Sequence, residues 1–550
     1  MGMLGILNIG TTALLAAQSA LNTTSNNIAN VSTPGYTRQQ VELSSIASGL
    51  NSATGSSGNG VTVSDITRLY DSFTTLQIRT EKSNSSYWSA YSGGSSSIEN
   101  IFNETSSSGI ASAISTFFND WQAVAQNPQG STERTQLISD ANYLGSRIGS
   151  AYNSLNDQRT QLYKSSQDLV TQVNNITKQI ADLNDKIAQS PGALDLKDQR
   201  DSLVESLNQI AAVNTIQDSS GRYAIFLGGA ALVSSSGSNN MSVALDTNNN
   251  MQFSLNTAGT STNINGQLGG GQLKANLDMR DTVIPGYMNK LNTFAIDLSD
   301  KVNSINKQGY GLDGSTGNNF FNSLAATNHT LNNGTGTLSS VNITDASSFN
   351  YDQYQIAYTA GAPEASADYV VTDLTTGATV VPQLLTIAPG GQSRTIEFNG
   401  MKMTIDGSMT SNETFTAQAD SQAATKLAVS FTDVNKIAAA QTATDLPGGN
   451  TNAQAIAGLV NQNFVGSTDP VSFYSNIVST AGADSQSAST YVTFENSMVN
   501  QLESQRQSTS GVNLDEEAVN MVQYQKSYEA AAKMISVASD LLDTVMGIIK

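Results

Sequence analysis

The side chains that most often carry enzyme chemistry are scarce in this sequence. It contains no cysteine, which excludes disulfides, thiolate metal ligands and cysteine nucleophiles. His329 is the single histidine, and it lies in a polar stretch without a catalytic signature, so we interpret it as a solvated loop residue. A zinc site would need further Cys or His ligands. The sequence therefore gives little support to metal-dependent or nucleophilic catalysis.

Three other stretches contain residue types that bind phosphate or metal ions in other proteins. The glycines at 269–271 lack the Lys-Ser/Thr of a phosphate-binding loop, so we interpret them as a hinge. Residues 313–318 lack the carboxylate spacing of a calcium loop, which favours a surface turn. The acidic run at 515–517 follows Asn513 and is typical of a capped helix start, where carboxylates meet the positive end of the helix dipole. We predict no enzyme activity, no cofactor and no metal.

The length, charge and composition of the chain argue against several other classes of function. A chain of 550 residues is too long for one core and should form several domains. It has 26 basic and 45 acidic residues, a net charge of −19, which argues against nucleic acid as a partner because phosphate binding needs clustered Lys and Arg. The start has no basic n-region, and no run of about 18 apolar residues occurs, so we predict neither a secretory signal peptide nor a membrane span.

Both ends of the chain carry apolar stripes with heptad spacing, the pattern that packs against another helix in a coiled coil. The stripes consist of Leu7, Leu14, Leu21 and Ile28 near the start, and of Met521, Tyr528, Ile535, Leu542 and Ile549 near the end. A second series runs beside each stripe: Met3, Ala17, Thr24 and Val31, and Tyr524, Ala531, Ala538 and Val545. We predict two terminal helices that pair with each other. Such a pair buries little surface by itself, so we expect it to be disordered in a free copy and to fold against neighbouring subunits.

The first 210 residues are predicted to be mainly helical. The opening helix should run from about Leu4 to about Asn30, because Pro34 disfavours helix at the residue before it. Residues 37–69 have a mixed pattern that predicts an irregular or β-ribbon linker. Helical periodicity then runs from Tyr70 to Ile210 and includes a five-heptad stripe without Pro or Gly, which predicts a rod-like helical bundle.

After Val213 the apolar period changes from that of a helix to that of a strand. We predict a β-rich outer domain at 213–430, with an internal helix near 272–306 and a type I′ hairpin at Asn399-Gly400. Helices should return from about Val434. The predicted fold is multidomain α plus β, with a discontinuous helical stem and an inserted β-rich head. The stem comprises a terminal helical core domain, 1–36 with 513–550, and a helical stem domain, 37–212 with 431–512.

Three segments resemble a known family. Residues 26–38, Asn-Asn-Ile-Ala-Asn-Val-Ser-Thr-Pro-Gly-Tyr-Thr-Arg, resemble the N-terminal signature shared by the rod, hook and hook-associated proteins of the bacterial flagellum. Residues 510–517, Ser-Gly-Val-Asn-Leu-Asp-Glu-Glu, resemble the C-terminal signature of that family. Residues 196–204, Leu-Lys-Asp-Gln-Arg-Asp-Ser-Leu-Val, are similar to a motif of one member that joins the hook to the filament. The residues Phe117, Phe118, Trp121, Pro128 and Arg134 fit the same member.

The resemblance implies a structural axial protein at the junction between hook and filament, which also serves as the platform for filament assembly. It implies export through the flagellar type III apparatus without a cleaved signal peptide, and an extracellular location in the flagellum. The implied partners are other copies in a ring or tube, the hook protein, a second junction protein and a cytoplasmic export chaperone, with no nucleic acid and no membrane.

The resemblance also implies roles for particular residues. Subunit contacts would be made by the two terminal stripes together with Asn30, Pro34, Gly35 and Tyr36. The chaperone would bind the C-terminal stripe at Met521, Tyr528, Ile535 and Leu542. Two alternatives stay open: another axial protein such as a hook or rod protein, and a surface adhesin or hydrolase displayed by the β head.

Overall fold

The chain forms two compact units, each built from separate stretches of sequence. The structure is a computed structural model that describes residues 3–46, 58–103, 109–247, 249–324, 328–333, 337–343, 353–359, 368–374, 377–380, 382–387, 393–407, 413–418 and 422–548. Unit one comprises residues 1–92, 163–277 and 488–550, and unit two comprises 93–162 and 278–487. The predicted division into three regions stays a prediction.

The terminal helices have nearly the predicted bounds. Helix α1 spans Met3–Ala29 and ends before a turn in which Gly35 has a φ of 80°, a value that favours glycine. The last helix, α11, spans Leu514–Ile548. The Asn513 side chain caps it, since its Oδ1 accepts a hydrogen bond from the Asp515 backbone N at 3.0 Å. The predicted capped start is confirmed.

A β-ribbon follows α1, as predicted for the linker. Strands β1 (Gln39–Ser45) and β2 (Val61–Arg68) pair antiparallel. Gly60 enters β2 with a φ of 105°, and a Cβ atom there would lie 2.2 Å from Thr12 Oγ1 of α1. Only glycine therefore allows the ribbon to approach the helix this closely.

Nine further helices complete the helical part of the described chain. They are α2 (Ser72–Phe102), α3 (Ile110–Gln126), α4 (Ser131–Gln189), α5 (Leu194–Ile210), α6 (Gly271–Asp278), α7 (Ile284–Asn306), α8 (Ala423–Lys426), α9 (Thr451–Ala457) and α10 (Pro470–Ser510). The 59 residues of α4 give it a length of about 88 Å at 1.5 Å per residue. The predicted helix near 272–306 is confirmed in place, but it consists of α6 and α7 joined by a π-helical turn at Met279–Val283.

Seven short strands pack onto the long helices of unit one. They are β3 (Asn214–Gln217), β4 (Tyr223–Leu227), β5 (Ala230–Ser234), β6 (Gly237–Ser238), β7 (Asn240–Leu245), β8 (Met251–Thr257) and β9 (Thr260–Asn263). They form two antiparallel sheets, β3-β4-β5-β6 and β7-β8-β9. Buried residues of both sheets, such as Ile225 and Phe253, share one core with Val173 of α4 and Leu207 of α5. Apolar burial thus fixes these sheets on the helices.

The later strands form a two-sheet structure in unit two. They are β10 (Asn328–Asn333), β11 (Thr337–Ile343), β12 (Tyr354–Tyr358), β13 (Tyr369–Asp373), β14 (Thr379–Val380), β15 (Gln383–Ile387), β16 (Ser393–Phe398), β17 (Met401–Asp406) and β18 (Glu413–Gln418). The sheet orders are β10-β18-β12-β13-β14 and β11-β17-β16-β15. Residues of both sheets, including Tyr354 and Ile396, form a single core.

Two predictions for this region had different outcomes. The Asn399-Gly400 hairpin is confirmed, since these residues join β16 to β17 with φ values of 44° and 68°. The interpretation of His329 as a loop residue is wrong, because His329 belongs to β10 and pairs with Ala417 of β18. A polar strand lacks the apolar alternation from which strands are predicted, whereas pairing along the backbone needs no apolar side chain.

Unit two also contains the aromatic residues that the sequence analysis singled out. Phe117, Phe118 and Trp121 are buried on α3. Arg134 of α4 is buried and donates hydrogen bonds to the backbone oxygens of Pro128, Val434 and Ile437. The predicted fold class, multidomain α plus β with a discontinuous helical stem and an inserted β-rich head, is confirmed. Among the described residues, none of the helices combines the length and apolar character that crossing a membrane requires.

Candidate assembly interface

The two terminal helices pack against each other within unit one. Both helices contain small buried residues: Ala16, Ala17 and Ala20 in α1, and Ala531 and Ala538 in α11. At Gly10 the helices come so close that an added Cβ atom would lie 2.9 Å from Ile535 Cγ1 and 3.7 Å from the Ala531 backbone O. Small side chains permit this approach, and van der Waals contact along the line stabilises it.

The two predicted series of residues on each terminal helix differ in how far they are buried in this pair. Four members of the second series, Ala17, Thr24, Ala531 and Ala538, are each at most 6% exposed, whereas its outermost members Val31 and Val545 are 39% and 36% exposed. The main series is half-buried at Leu7, Leu14, Leu21, Ile28, Met521, Ile535 and Leu542. Tyr528 is 37% exposed, and Ile549 lies outside the described residues. The pairing of the two ends therefore leaves part of the predicted stripes accessible.

A further set of large apolar residues on α11 is exposed in a single copy. Met534, Val537, Leu541 and Val545 follow one another at spacings of three or four residues and are 36–47% exposed. Val519 and Val522, 67% and 57% exposed, lie on the same face nearer the start of the helix. We call these six residues the outer stripe. Apolar residues grouped on one face of a helix typically mark a contact surface.

Asn27, only 1% exposed, is the centre of a polar network that joins the N-terminal turn to α11. Its Oδ1 accepts hydrogen bonds from Tyr36 Oη at 2.8 Å and from the Gln39 backbone N at 3.0 Å. Its Nδ2 donates to Gln39 O at 2.8 Å and to Glu517 Oε2 at 3.2 Å. One buried amide thus fixes the turn after α1, the start of β1 and the first turn of α11.

Arg38 adds charge to this network. Its Nε lies 2.7 Å from Glu517 Oε1, its Nη1 lies 2.7 Å from Glu516 Oε2, and its backbone N donates to Ser510 O at 3.0 Å. Burial alone would lower the pKa of Arg38, but the two carboxylates outweigh burial and the pKa is raised. The Glu517 side chain is 2% exposed, and a carboxylate at that depth requires such a partner.

The motif at residues 196–204, which lies on α5, contributes the remaining residues of the network. Asp198 accepts hydrogen bonds from the Thr37 backbone N at 3.2 Å and from Arg68 Nη1 at 2.6 Å. Arg68 also contacts Asp201 at 3.0 Å, and Arg79 reaches the other oxygen of Asp201 at 3.0 Å. Burial raises the pKa of Asp198 even though Arg68 opposes the effect. We call the residues Asn27, Tyr36, Arg38, Arg68, Asp198 and Glu517 the signature clasp.

The clasp surrounds the Tyr36 hydroxyl with acidic groups. Burial, followed by the charges of Asp198 and Glu517, raises the pKa of Tyr36 to about 12. The phenol therefore stays protonated at neutral pH and acts as the donor to Asn27. Of the other predicted interface residues in this turn, Asn30 is half-buried, whereas Pro34 and Gly35 are exposed.

A polar cleft of about 1230 Å³ lies beside the clasp. Pro34 and Gly35 line it from the turn after α1, Ser202 from α5, and Gln507 from α10. Its Glu205 is already paired with Lys82 and Arg506, at 2.7 Å each. Within the described ranges, no cluster of three or more His, Cys, Asp or Glu residues could hold a metal ion. This region holds the turn after α1 close to segments of α5 and α10.

Several clasp residues were not predicted as site residues. Asn27 and Arg38 stand in the quoted N-terminal signature, and Glu516 and Glu517 in the C-terminal one, so the motifs contained the signal. The acidic run was explained by helix capping alone, which missed its ion pairs with Arg38. Arg68 lies in the linker, where no local pattern indicated a role.

Three family models match the same parts of the chain. The flagella basal body rod protein model matches residues 7–37, and the C-terminal model of the flagellar basal body rod FlgEFG proteins matches 503–548. The helical domain model of the flagellar hook-associated protein FlgK matches 95–321. Flagellar hook-associated protein 1 of Escherichia coli is 32% identical to the chain, over 99% of this chain and all of the relative. The chain belongs to the flagellar hook-associated protein 1 family.

The family relationship extends to more distant bacteria. Flagellar hook-associated protein 1 of Bacillus subtilis is 26% identical over 97% of this chain and 96% of the relative. The solved structure of the flagellar hook junction protein FlgK from Burkholderia pseudomallei shares the fold, with a TM-score of 0.63, 21% identity, and coverage of 79% of this chain and all of that one. The resemblance found in the sequence is confirmed.

Proposed function

We propose that this protein is a structural subunit of the bacterial flagellum, forming the junction between hook and filament and the platform on which the filament assembles. Membership in the hook-associated protein 1 family over nearly the whole chain carries the proposal. The terminal pair supports it, because the signature clasp holds this pair to α5 while the outer stripe of α11 stays uncovered.

Neighbouring copies would cover the outer stripe. Burying apolar surface contributes about 25 cal/mol per Å², reduced by the cost of ordering the helices. The half-buried residues of the predicted stripes, such as Leu21 and Leu542, would support the pair from within, and Asn30, Pro34, Gly35 and Tyr36 would meet neighbours at the exposed turn. Assembly then consists of completing helix contacts that a single copy leaves unfinished.

A position between the hook and the filament determines which proteins this chain would contact. The hook protein would lie on one side of a ring of copies, and a second junction protein on the other. Before export, a cytoplasmic chaperone would cover α11 along Met521, Tyr528, Ile535 and Leu542. Export would occur through the flagellar type III apparatus without a cleaved signal, to an extracellular position in the flagellum. The role is structural and involves no catalysis.

Complementation tests the proposal. A bacterial strain that lacks its own junction protein should swim again when it expresses this chain, and electron microscopy should show filaments on its hooks. The matched variants Leu21→Glu and Leu542→Glu should fail to restore filaments while the rest of the chain stays folded. Filament growth that is equal with and without the chain would overturn the proposal.

A further inference from the structure

Helices α2 and α10 carry five aromatic side chains on unit one, outside the signature clasp, and four of these rings contact one another. The rings of Trp88 and Tyr491 stack with their centroids 4.2 Å apart and an interplanar angle of 14°. Tyr87 and Tyr91 pack against Trp88 at 5.2 Å and 5.5 Å. Phe494 lies one turn beyond Tyr491 on α10. We call these five residues the aromatic patch.

Two residues of the aromatic patch are exposed in a single copy, and Tyr87, Trp88 and Tyr91 are half-buried. Phe494 is 58% exposed and Tyr491 is 48% exposed. Phe73 and Leu76, 68% and 53% exposed, share a face of α2 with Tyr87 and extend the apolar surface along that helix. Large exposed aromatic groups of this kind are the anchors of protein interfaces, where Trp and Tyr are enriched.

The helix segments that carry the patch contain no charged residues, although the chain as a whole has a net charge of −19. Residues 83–92 of α2 and 488–494 of α10 contain no Asp, Glu, Lys or Arg. The next residue, Glu495, is 8% exposed and shares a hydrogen bond with Glu81. Burial, then Glu81, raises the pKa of Glu495 to about 7, which reduces the negative charge of this residue at neutral pH. Two acidic copies would therefore meet less charge repulsion here than at a surface with ionised carboxylates.

We infer that the aromatic patch is a contact surface for a second copy of this chain. The inference rests on the proposed function, in which copies pack side by side, and it names the part of the helical stem that meets the neighbour. Unit one also carries the outer stripe, so a copy that covers the stripe approaches the same unit. A partner recognised by charge would find no charged residue on these two helix segments, whereas an uncharged apolar face of another copy suits the patch.

Photo-cross-linking of the purified full-length chain tests the inference. p-Benzoylphenylalanine replaces Phe494 in one sample and Ile216 in a matched control, because Ile216 of β3 is also exposed, at 62%, on unit one. After concentration and after addition to hooks that lack a junction protein, position 494 should give covalent dimers at least fivefold more often than position 216. Peptide mapping should show that both cross-linked peptides come from copies of this chain. Equal yields, or adducts only with hook protein, would overturn the inference.

A second pair of variants separates this inference from the proposed function. Tyr491→Ser with Phe494→Ser should reduce incorporation on hooks at least tenfold, while Ile216→Ser should leave it unchanged; circular dichroism checks the fold of each. If the wild-type chain supports filament growth and the double variant does so equally well, the aromatic patch is not the contact surface. If the wild-type chain supports none, the proposed function fails, and the cross-linking in concentrated protein still decides whether copies meet at the patch.

Discussion

Arg38 and Glu517 form an ion pair of 2.7 Å although 479 residues separate them in the sequence. The same carboxylate accepts a hydrogen bond from Asn27 at the end of α1, so one buried side chain holds both ends of the protein. The N-terminal and C-terminal signatures are therefore two halves of one structural feature. The α5 motif joins them through Asp198, which ties the terminal pair to the helical stem.

Breaking this ion pair should loosen the terminal helices specifically. Glu517→Gln removes the charge that Arg38 meets, and we expect a loss of about 2 kcal/mol, the scale of a charge-assisted hydrogen bond. In assembled junctions, hydrogen exchange in α1 and α11 should accelerate roughly 30-fold, with α4 unchanged. The control Glu529→Gln removes an exposed pair with Lys526 and should have little effect. Equal exchange in the two variants would show that the clasp does not hold the pair.

The terminal pair should be the least stable part of a free copy. Its fully buried apolar residues are alanines and its larger ones are half-buried or exposed, whereas the core around α4 and α5 contains many fully buried large residues. We expect residues 1–35 and 515–550 to exchange their amide hydrogens far faster than α4 in the monomer, and to become protected on assembly. Strong protection of these residues in the monomer would contradict the prediction that neighbours complete the pair.

A charge on the outer stripe should block assembly without unfolding the chain. Val537 is 47% exposed, so Val537→Asp removes little buried surface in one copy and should leave the melting temperature within about 1 °C. Between copies the aspartate would be buried without a partner, which strongly disfavours association. Ser539→Asp, exposed on a different face of the same helix, is the matched control and should assemble. If the Val537→Asp variant assembles normally, the outer stripe is not part of the interface between copies.

The carboxyl pair of Glu495 and Glu81 should make stability depend on pH. The pKa of Glu495 is raised from its ordinary value near 4.5 to about 7, so the stability it contributes is complete below about pH 4.5 and is lost as the pH rises to about 7. The nearest cation on α2, Lys82, is engaged by Glu205 and Glu503. Glu495→Gln keeps the shape without the charge. Its melting temperature should exceed that of the wild type at pH 8, and the advantage should vanish toward pH 5; a constant difference would refute the shared proton.

Local patterns were sufficient to predict most of the elements. The ends of α1, the hairpin at Asn399-Gly400 and the cap of α11 depend on residues within a few positions of each other, so the sequence predicts them well. The clasp could not be predicted in this way. Its contacts connect polar residues from distant segments, and no periodicity records which carboxylate a given arginine meets.

The sequence also did not predict which residues of the terminal stripes are buried between α1 and α11. Large residues such as Leu14 and Leu21 define the heptad pattern, but the helices approach along the small ones because Gly10 and the alanines permit a shorter distance. The strand at His329 could not be predicted for a different reason. Its residues are polar and show no apolar alternation, so only the pairing with β18 identifies it as a strand.

Filament growth on isolated hooks tests the central claim most directly. Purified hooks that lack a junction protein would be incubated with this chain, then with the second junction protein and flagellin, and the fraction of hooks bearing filaments would be counted by electron microscopy. We predict filaments on most hooks with the wild-type chain and on few with Val537→Asp. Bare hooks with the wild-type chain, or filaments in equal number when the chain is omitted, would contradict the account.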